Sequence, residues 1–230
     1  MSGKLYGIGV GPGDPELMTL KAVRVIKESD IIVLPSENPK ETVAYKIALP
    51  VCPEMKNKEI VGVPIVMTKD ADKLEESYTK STQIIAKYLD EGKNVAYLTL
   101  GDATIYATYV YIHKKILDLG YETEIVSGIP SFCSVAARLN MSLVERSEML
   151  HIIPASYQIE EALKLSGTKV LMKAASKMKE VKEQLKKANS TAVMIENCGM
   201  PNEKVYNSLD EIPDSSGYYS LIIVKDKGEV

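Results

Sequence analysis

Three stretches of this chain set glycine beside groups that could grip or position a small molecule. They are Gly9-Val10-Gly11-Pro12-Gly13-Asp14, Leu100-Gly101-Asp102-Ala103-Thr104-Ile105-Tyr106 and Ser127-Gly128-Ile129-Pro130-Ser131-Phe132. Glycine lets another group approach the backbone closely, and a carboxylate accepts hydrogen bonds from a ligand amine or hydroxyl. The first stretch is neither of the common phosphate cradles. A dinucleotide fingerprint needs glycine at i, i+2 and i+5, and from Gly7 or Gly9 the third place holds Pro12 or Asp14. No glycine opens a Walker A pattern, and the Asp14 carboxylate would repel a phosphate. Asp102 has two readings at this level: an acceptor for a ligand, or a cap for the helix that follows.

The remaining reactive residue types offer less. His113 lies among lysines on a helical pattern and His151 in a strand-like run. Neither has a partner at metal spacing, so no protein-bound metal is expected. There is no Gly-x-Ser-x-Gly, and Cys52, Cys133 and Cys198 are widely spaced without a Cys-x-x-Cys. A nucleophile, a zinc site or a disulfide framework is therefore not indicated. Lys173, Lys177, Lys179, Lys182, Lys186 and Lys187 flank the apolar stripe Met178, Val181 and Leu185. They read as a solvated helix face, with room for one or two to meet an acidic ligand.

The elements that must carry these loops alternate between apolar runs and amphipathic segments, the pattern of βα units around a parallel sheet. Strands are predicted at 4–10, 31–35, 60–66, 94–99 and 121–126. One helical stripe runs through Met18, Ala22, Val25 and Ile26, its start capped by Asp14 or by Thr19. Another runs through Leu74, Tyr78, Ile85 and Leu89, and a third through Ile105, Tyr109, Ile112, Ile116 and Leu119, stopped by Gly120. Beyond the third loop comes a helix with Phe132, Val135, Ala136 and Leu139 on one face, then strand-like runs at 149–153, 169–173, 191–195 and 218–224. One Lys-rich helix is predicted near 175–188, and 54–59 and 210–217 read as surface loops. The expected organisation is two α/β domains, 1–128 with a mostly parallel sheet and 129–230 with a more mixed one. Each of the three glycine loops follows a predicted strand, and ligands of open α/β sheets bind outside the carboxyl ends of strands.

Twenty-eight basic and 31 acidic residues leave a net charge of −3. That balance supplies no global pull toward nucleic acid. No run of about 18 apolar residues and no basic, apolar leader pattern is present, so a cytoplasmic protein without a membrane partner is expected.

Taken together, GVGPGDPELMTLKA, LTLGDATIYATYVYIHKK and SGIPSFCSVAARL resemble the tetrapyrrole methylases, S-adenosylmethionine-dependent enzymes that methylate corrin and sirohaem precursors. VLMK at 170–173, VMIENCG at 193–199 and the closing YYSLIIVK extend the likeness over nearly the whole chain. YATYVYIHKKI and SGIPSFCSVAARLNMSL look like the branch that methylates C20 of precorrin-2 or its cobalt-loaded counterpart. The resemblance implies a homodimer of two-domain chains with S-adenosylmethionine held in a cleft between the domains. It carries the cofactor contacts onto Pro12, onto Leu100, Gly101 and Asp102, onto Ile105 and Tyr106, and onto Ser131, Phe132, Met172 and Cys198. The first loop would then form a wall between the methyl donor and the macrocycle. Two positions depart from the family: Ala103 stands where proline is usual after Gly-Asp, and Ser127 where the third loop often begins with proline. The resemblance implies methyl transfer governed by positioning, with a catalytic base unassigned. The rival readings are another tetrapyrrole position such as the uroporphyrinogen step, ribosomal RNA or diphthamide methylation, and a non-catalytic sensor of the same ligands.

Overall fold

The computed structural model describes residues 2–66, 68, 70–157 and 159–226. The chain divides into two compact units, Met1–Pro130 and Ser131–Val230.

The first unit is built on five parallel strands: β1 (Lys4–Gly9), β2 (Ile31–Leu34), β3 (Glu59–Gly62), β4 (Val95–Thr99) and β5 (Glu122–Val126). Their order across the sheet is β3-β2-β4-β1-β5. Parallel neighbours must be joined by crossovers, and the helices that make them cover both faces. On one face lie α1 (Leu20–Glu28) and α2 (Val43–Ala48), whose Ala22, Val25, Ile26, Tyr45 and Ile47 pack with Ile8, Ile32 and Leu98. On the other lie α3 (Ala71–Asp90) and α4 (Tyr109–Asp118), whose Ile85, Leu89, Ile112 and Ile116 pack with Leu5, Val33 and Val95. Each such aliphatic side chain contributes about 1.5–3 kcal/mol when fully buried.

Both candidate caps at the start are used. Asp14 accepts the Glu16 N–H at the head of a single 3-10 turn, Pro15–Leu17, and Thr19 accepts the Ala22 N–H at the head of α1. Two expected boundaries need correction. The third strand stops at Gly62 because Val63 makes the last ladder bond, to the Leu34 carbonyl, and Pro64 has no N–H to continue it. The helix expected from Ile105 begins only at Tyr109. Tyr106 takes a left-handed φ of 50°, which no helical turn accommodates, so 102–108 remains a loop.

The second unit has a mixed sheet of β6 (Leu150–Pro154), β7 (Thr168–Met172), β8 (Thr191–Glu196), β9 (Lys204–Tyr206) and β10 (Ser220–Lys225), ordered β6-β7-β10-β8-β9. Only β6 and β7 are parallel; β10 runs antiparallel between β7 and β8. α5 (Ser131–Arg138) packs on β10, and after the brief α6 (Glu160–Leu163), α7 (Met178–Lys187) buries Met178, Val181 and Leu185 against Leu171, Met194 and Ile222. The lysines of α7 stay outside that stripe, apart from Lys182, which reaches the Ile212 carbonyl. Of the two segments expected as surface loops, 210–217 is irregular, whereas 54–57 lies in a 3-10 helix, Pro53–Asn57, and Glu59 opens β3; each segment anchors itself through one buried apolar side chain, Met55 in the first and Ile212 in the second.

Candidate functional site

In the first sheet β4, β1 and β5 are adjacent and parallel, so their carboxyl ends deliver the three glycine loops side by side. The loops are joined through backbone. Gly11 donates to the Gly101 carbonyl at 3.2 Å, Gly101 donates back to Gly11 at 2.8 Å, and Val10 donates to Thr99 at 3.0 Å. Glycine is required where they touch. A Cβ on Gly9 would stand 2.6 Å from the Gly101 carbonyl oxygen, and one on Gly128 would stand 2.2 Å from the same atom. Both separations are far inside van der Waals contact, so any side chain here would separate the loops.

Asp102 completes the join. Its Oδ2 accepts the Gly128 N–H at 2.9 Å, and its Oδ1 accepts the Thr104 N–H at 2.7 Å and the Thr104 hydroxyl at 2.5 Å. The residue is only 7% exposed. Asp102 therefore does not cap α4, whose N-cap is Thr108. It ties the second loop to the third. Thr19, besides capping α1, donates its hydroxyl to the Ser127 carbonyl at 3.3 Å.

The structure thus brings Pro12, Leu100, Gly101, Asp102, Ile105 and Tyr106 to the carboxyl ends of β1 and β4. Gly101 (φ 69°) and Tyr106 (φ 50°) are both left-handed, and the strained Tyr106 turns an aromatic ring toward solvent. No lysine, arginine or histidine occurs in 9–14, 99–106 or 126–130. With carbonyl oxygens and buried or half-buried carboxylates and no cation, the loops suit a ligand that carries positive charge and donors, not a polyphosphate.

In the second unit Ser131 and Phe132 open α5, Met172 ends β7 and Cys198 follows the end of β8. The sheet register sets Met172 and Ile195 on either side of Leu221, which brings the ends of β7 and β8 to one edge. Ser134 Oγ lies 3.6 Å from Cys198 Sγ, linking the first turns of α5 to that edge. Burial pushes the Cys198 thiol pKa up, so this cysteine is a packing group and a poor nucleophile. Lys173 and Asn197, the residues that follow β7 and β8, are both left-handed, with φ of 59° and 56°. Burial pushes the Lys173 ammonium pKa down. Residue type carries no sign of the Lys173 conformation, nor of Thr104 and Thr19 as loop anchors. The glycines at 9, 101 and 128 are the one readable signal.

His113 sits 3.3 Å from the Tyr109 hydroxyl on α4, and His151 meets the Ser166 carbonyl. Among the described residues, no three His, Cys, Asp or Glu side chains are placed to hold a metal ion. No helix among them is long and apolar enough to cross a membrane.

Comparison with known proteins adds the following. Residues 4–213 match the family model of the tetrapyrrole (corrin/porphyrin) methylases. The chain is 34% identical over 226 residues to a probable cobalt-precorrin-2 C(20)-methyltransferase of Methanocaldococcus jannaschii, covering 96% of each chain. It is 29% identical over 237 residues to the cobalt-precorrin-2 C(20)-methyltransferase of Salmonella typhimurium, covering 100% of this chain and 99% of that one. A solved structure of the uroporphyrin-III C-methyl transferase of Thermus thermophilus, complexed with S-adenyl homocysteine, shares the fold. Its TM-score is 0.74 at 20% identity, with 97% and 98% of the two chains covered.

Proposed function

The chain belongs to the tetrapyrrole (corrin/porphyrin) methylase family, and from that premise we propose that it methylates C20 of precorrin-2 or its cobalt-loaded counterpart, with S-adenosylmethionine as donor, in cobalamin biosynthesis. The observation that carries this reading is the 34% identity with the C(20)-methyltransferase relative across 96% of both chains. The loop cluster fits the donor in kind, since a sulfonium and an ammonium suit acceptor-rich loops free of basic residues. Bound there, S-adenosylmethionine supplies a methyl group already activated on a good leaving group.

What remains for the protein is placement. Leu100, Gly101, Asp102, Ile105 and Tyr106, with Pro12, are the proposed contacts on the first unit. Ser131, Phe132, Met172 and Cys198 are those on the second. Hydrogen bonds between Gly11 and Gly101, and from the Gly128 amide to Asp102, fix the three loops to one another. Orienting reactants in this way is worth on the order of 7–11 kcal/mol of a barrier. The macrocycle carbon takes the methyl group as the carbon–sulfur bond breaks, and the C20 proton then leaves; no base is assigned to that step. Any cobalt is substrate, carried in by the ring. We place the protein in the cytoplasm as a homodimer acting on a small-molecule tetrapyrrole, with neither nucleic acid nor membrane as partner.

The test is an anaerobic incubation with S-adenosylmethionine and either precorrin-2 or its cobalt complex, followed by mass spectrometry and product NMR. One methyl gained, located at C20, is expected. No gain on either ring, with the donor bound, would refute the C20 assignment; a gain on uroporphyrinogen III alone would move the activity to that sister step.

A further inference from the structure

The Asp102 carboxylate is engaged inside the loops themselves. Oδ2 is held by the Gly128 amide, and Oδ1 takes both donors of Thr104. The same residues form a turn, closed by the Ile105 N–H on the Asp102 carbonyl at 3.4 Å, with Ala103 and Thr104 at its centre. Ala103 occupies the second position of that turn, where proline is favoured because its ring presets φ. Ala103 is fully buried, and among the described residues its N–H donates no hydrogen bond. Nothing covalent therefore restrains the turn, and Thr104 is the residue that restrains it instead.

We propose that Thr104 is a positioning residue. Through Asp102 it holds Leu100 and Gly101 in register with Gly128, supplying by two hydrogen bonds the rigidity that a proline at 103 would supply by its ring. A loosened Asp102 would release the Gly128 amide, and with it the alignment of the second and third loops. Thr104 is itself exposed, so its hydroxyl can be removed without opening the core. The proposal relies on the functional reading above only for the identity of the ligand.

The experiment compares the wild-type chain with Thr104→Val, Thr104→Ser and the double variant Ala103→Pro/Thr104→Val. S-adenosylhomocysteine affinity is measured by calorimetry, KM separately for methyl donor and tetrapyrrole, and amide hydrogen exchange at Gly128 by NMR. Thr104→Val should weaken S-adenosylhomocysteine by roughly tenfold, the lower end of the effect of losing one hydrogen bond to a charged group. It should also raise the KM for the donor, leave that for the tetrapyrrole, and speed exchange at Gly128. Thr104→Ser should behave as wild type, and Ala103→Pro should restore most of the lost affinity. Unchanged affinity and exchange in Thr104→Val, or no recovery in the double variant, would overturn the proposal. A wild-type chain that fails to bind S-adenosylhomocysteine would instead refute the functional reading, and the Gly128 exchange rates would then decide the latch alone.

Discussion

At Gly128 the space for a side chain is missing altogether, because the Gly101 carbonyl oxygen would lie 2.2 Å from a Cβ and the Gly9 carbonyl carbon 2.7 Å. Both obstacles are backbone atoms, which cannot swing aside as a side chain does. Gly120 offers the contrast: its φ is 85°, but nothing stands within 4 Å of where its Cβ would be. Gly120→Ala should therefore cost only the left-handed penalty, about 1–2 kcal/mol. Gly128→Ala should cost more, about 3 kcal/mol, and should weaken donor binding as well. Urea unfolding of both variants checks the order; a smaller loss at Gly128 would mean that the loops can part without consequence. Asp102 belongs to the same scale. A Gly-Asp step reads equally well as a helix cap or as a ligand acceptor, and the structure makes the carboxylate a bridge between loops. The partner that decides this, Gly128, lies 26 residues away, beyond the reach of local pattern.

Among the elements, β1 lies between β4 and the edge strand β5 of the site-bearing sheet, and that edge is fastened by charge. Glu124 on β5 pairs with Lys4 on β1 at 2.8 Å and with Lys21 on α1 at 2.7 Å. The hydrogen bonds from Lys21 and then Lys4 hold the Glu124 carboxyl down at about 2, well below its ordinary value. An unfolded chain would bind that proton near 4.3. Because the folded value is the lower one, the pairing stabilises the protein above that pH, and the contribution fades as pH falls toward about 2. The carboxylate is 31% exposed, so solvent screening limits the effect to about 0.5–1 kcal/mol. Glu124→Gln should lower stability by that amount at neutral pH, and urea titrations from pH 7 to 3 should show the gap to wild type closing. A gap constant across that range would exclude the pairing as its source. Element types were legible wherever periodicity was strong, as along α3, where Leu74, Tyr78, Ile85 and Leu89 share one face. They were illegible where the element is short. α2 and β9, six and three residues long, offer too few positions for a period to appear. The late start of α4 is set by the left-handed Tyr106, a conformation that its residue type does not announce.

For the whole molecule, the mass of one chain is 25.3 kDa. The proposed homodimer should sediment at twice that value, and equilibrium sedimentation across a range of concentrations checks it; a persistent single-chain mass would exclude the dimer. The alternation of apolar runs with amphipathic segments was enough to establish α/β architecture, because the 2.0 and 3.6 periods are imposed by backbone geometry within each segment. The loop motifs were likewise legible as a family pattern, since glycines at 9 and 128 are demanded by close backbone approach and glycine at 101 suits a left-handed φ of 69°. Strand order could not be read in the same way. Placing β4 between β2 and β1, and so bringing the ends of β4, β1 and β5 together, depends on crossovers tens of residues long. Tertiary structure alone decided that three separate loops become one bonded cluster, because hydrogen bonds such as Asp102 to Gly128 exist only after the sheet has brought their partners within 3 Å.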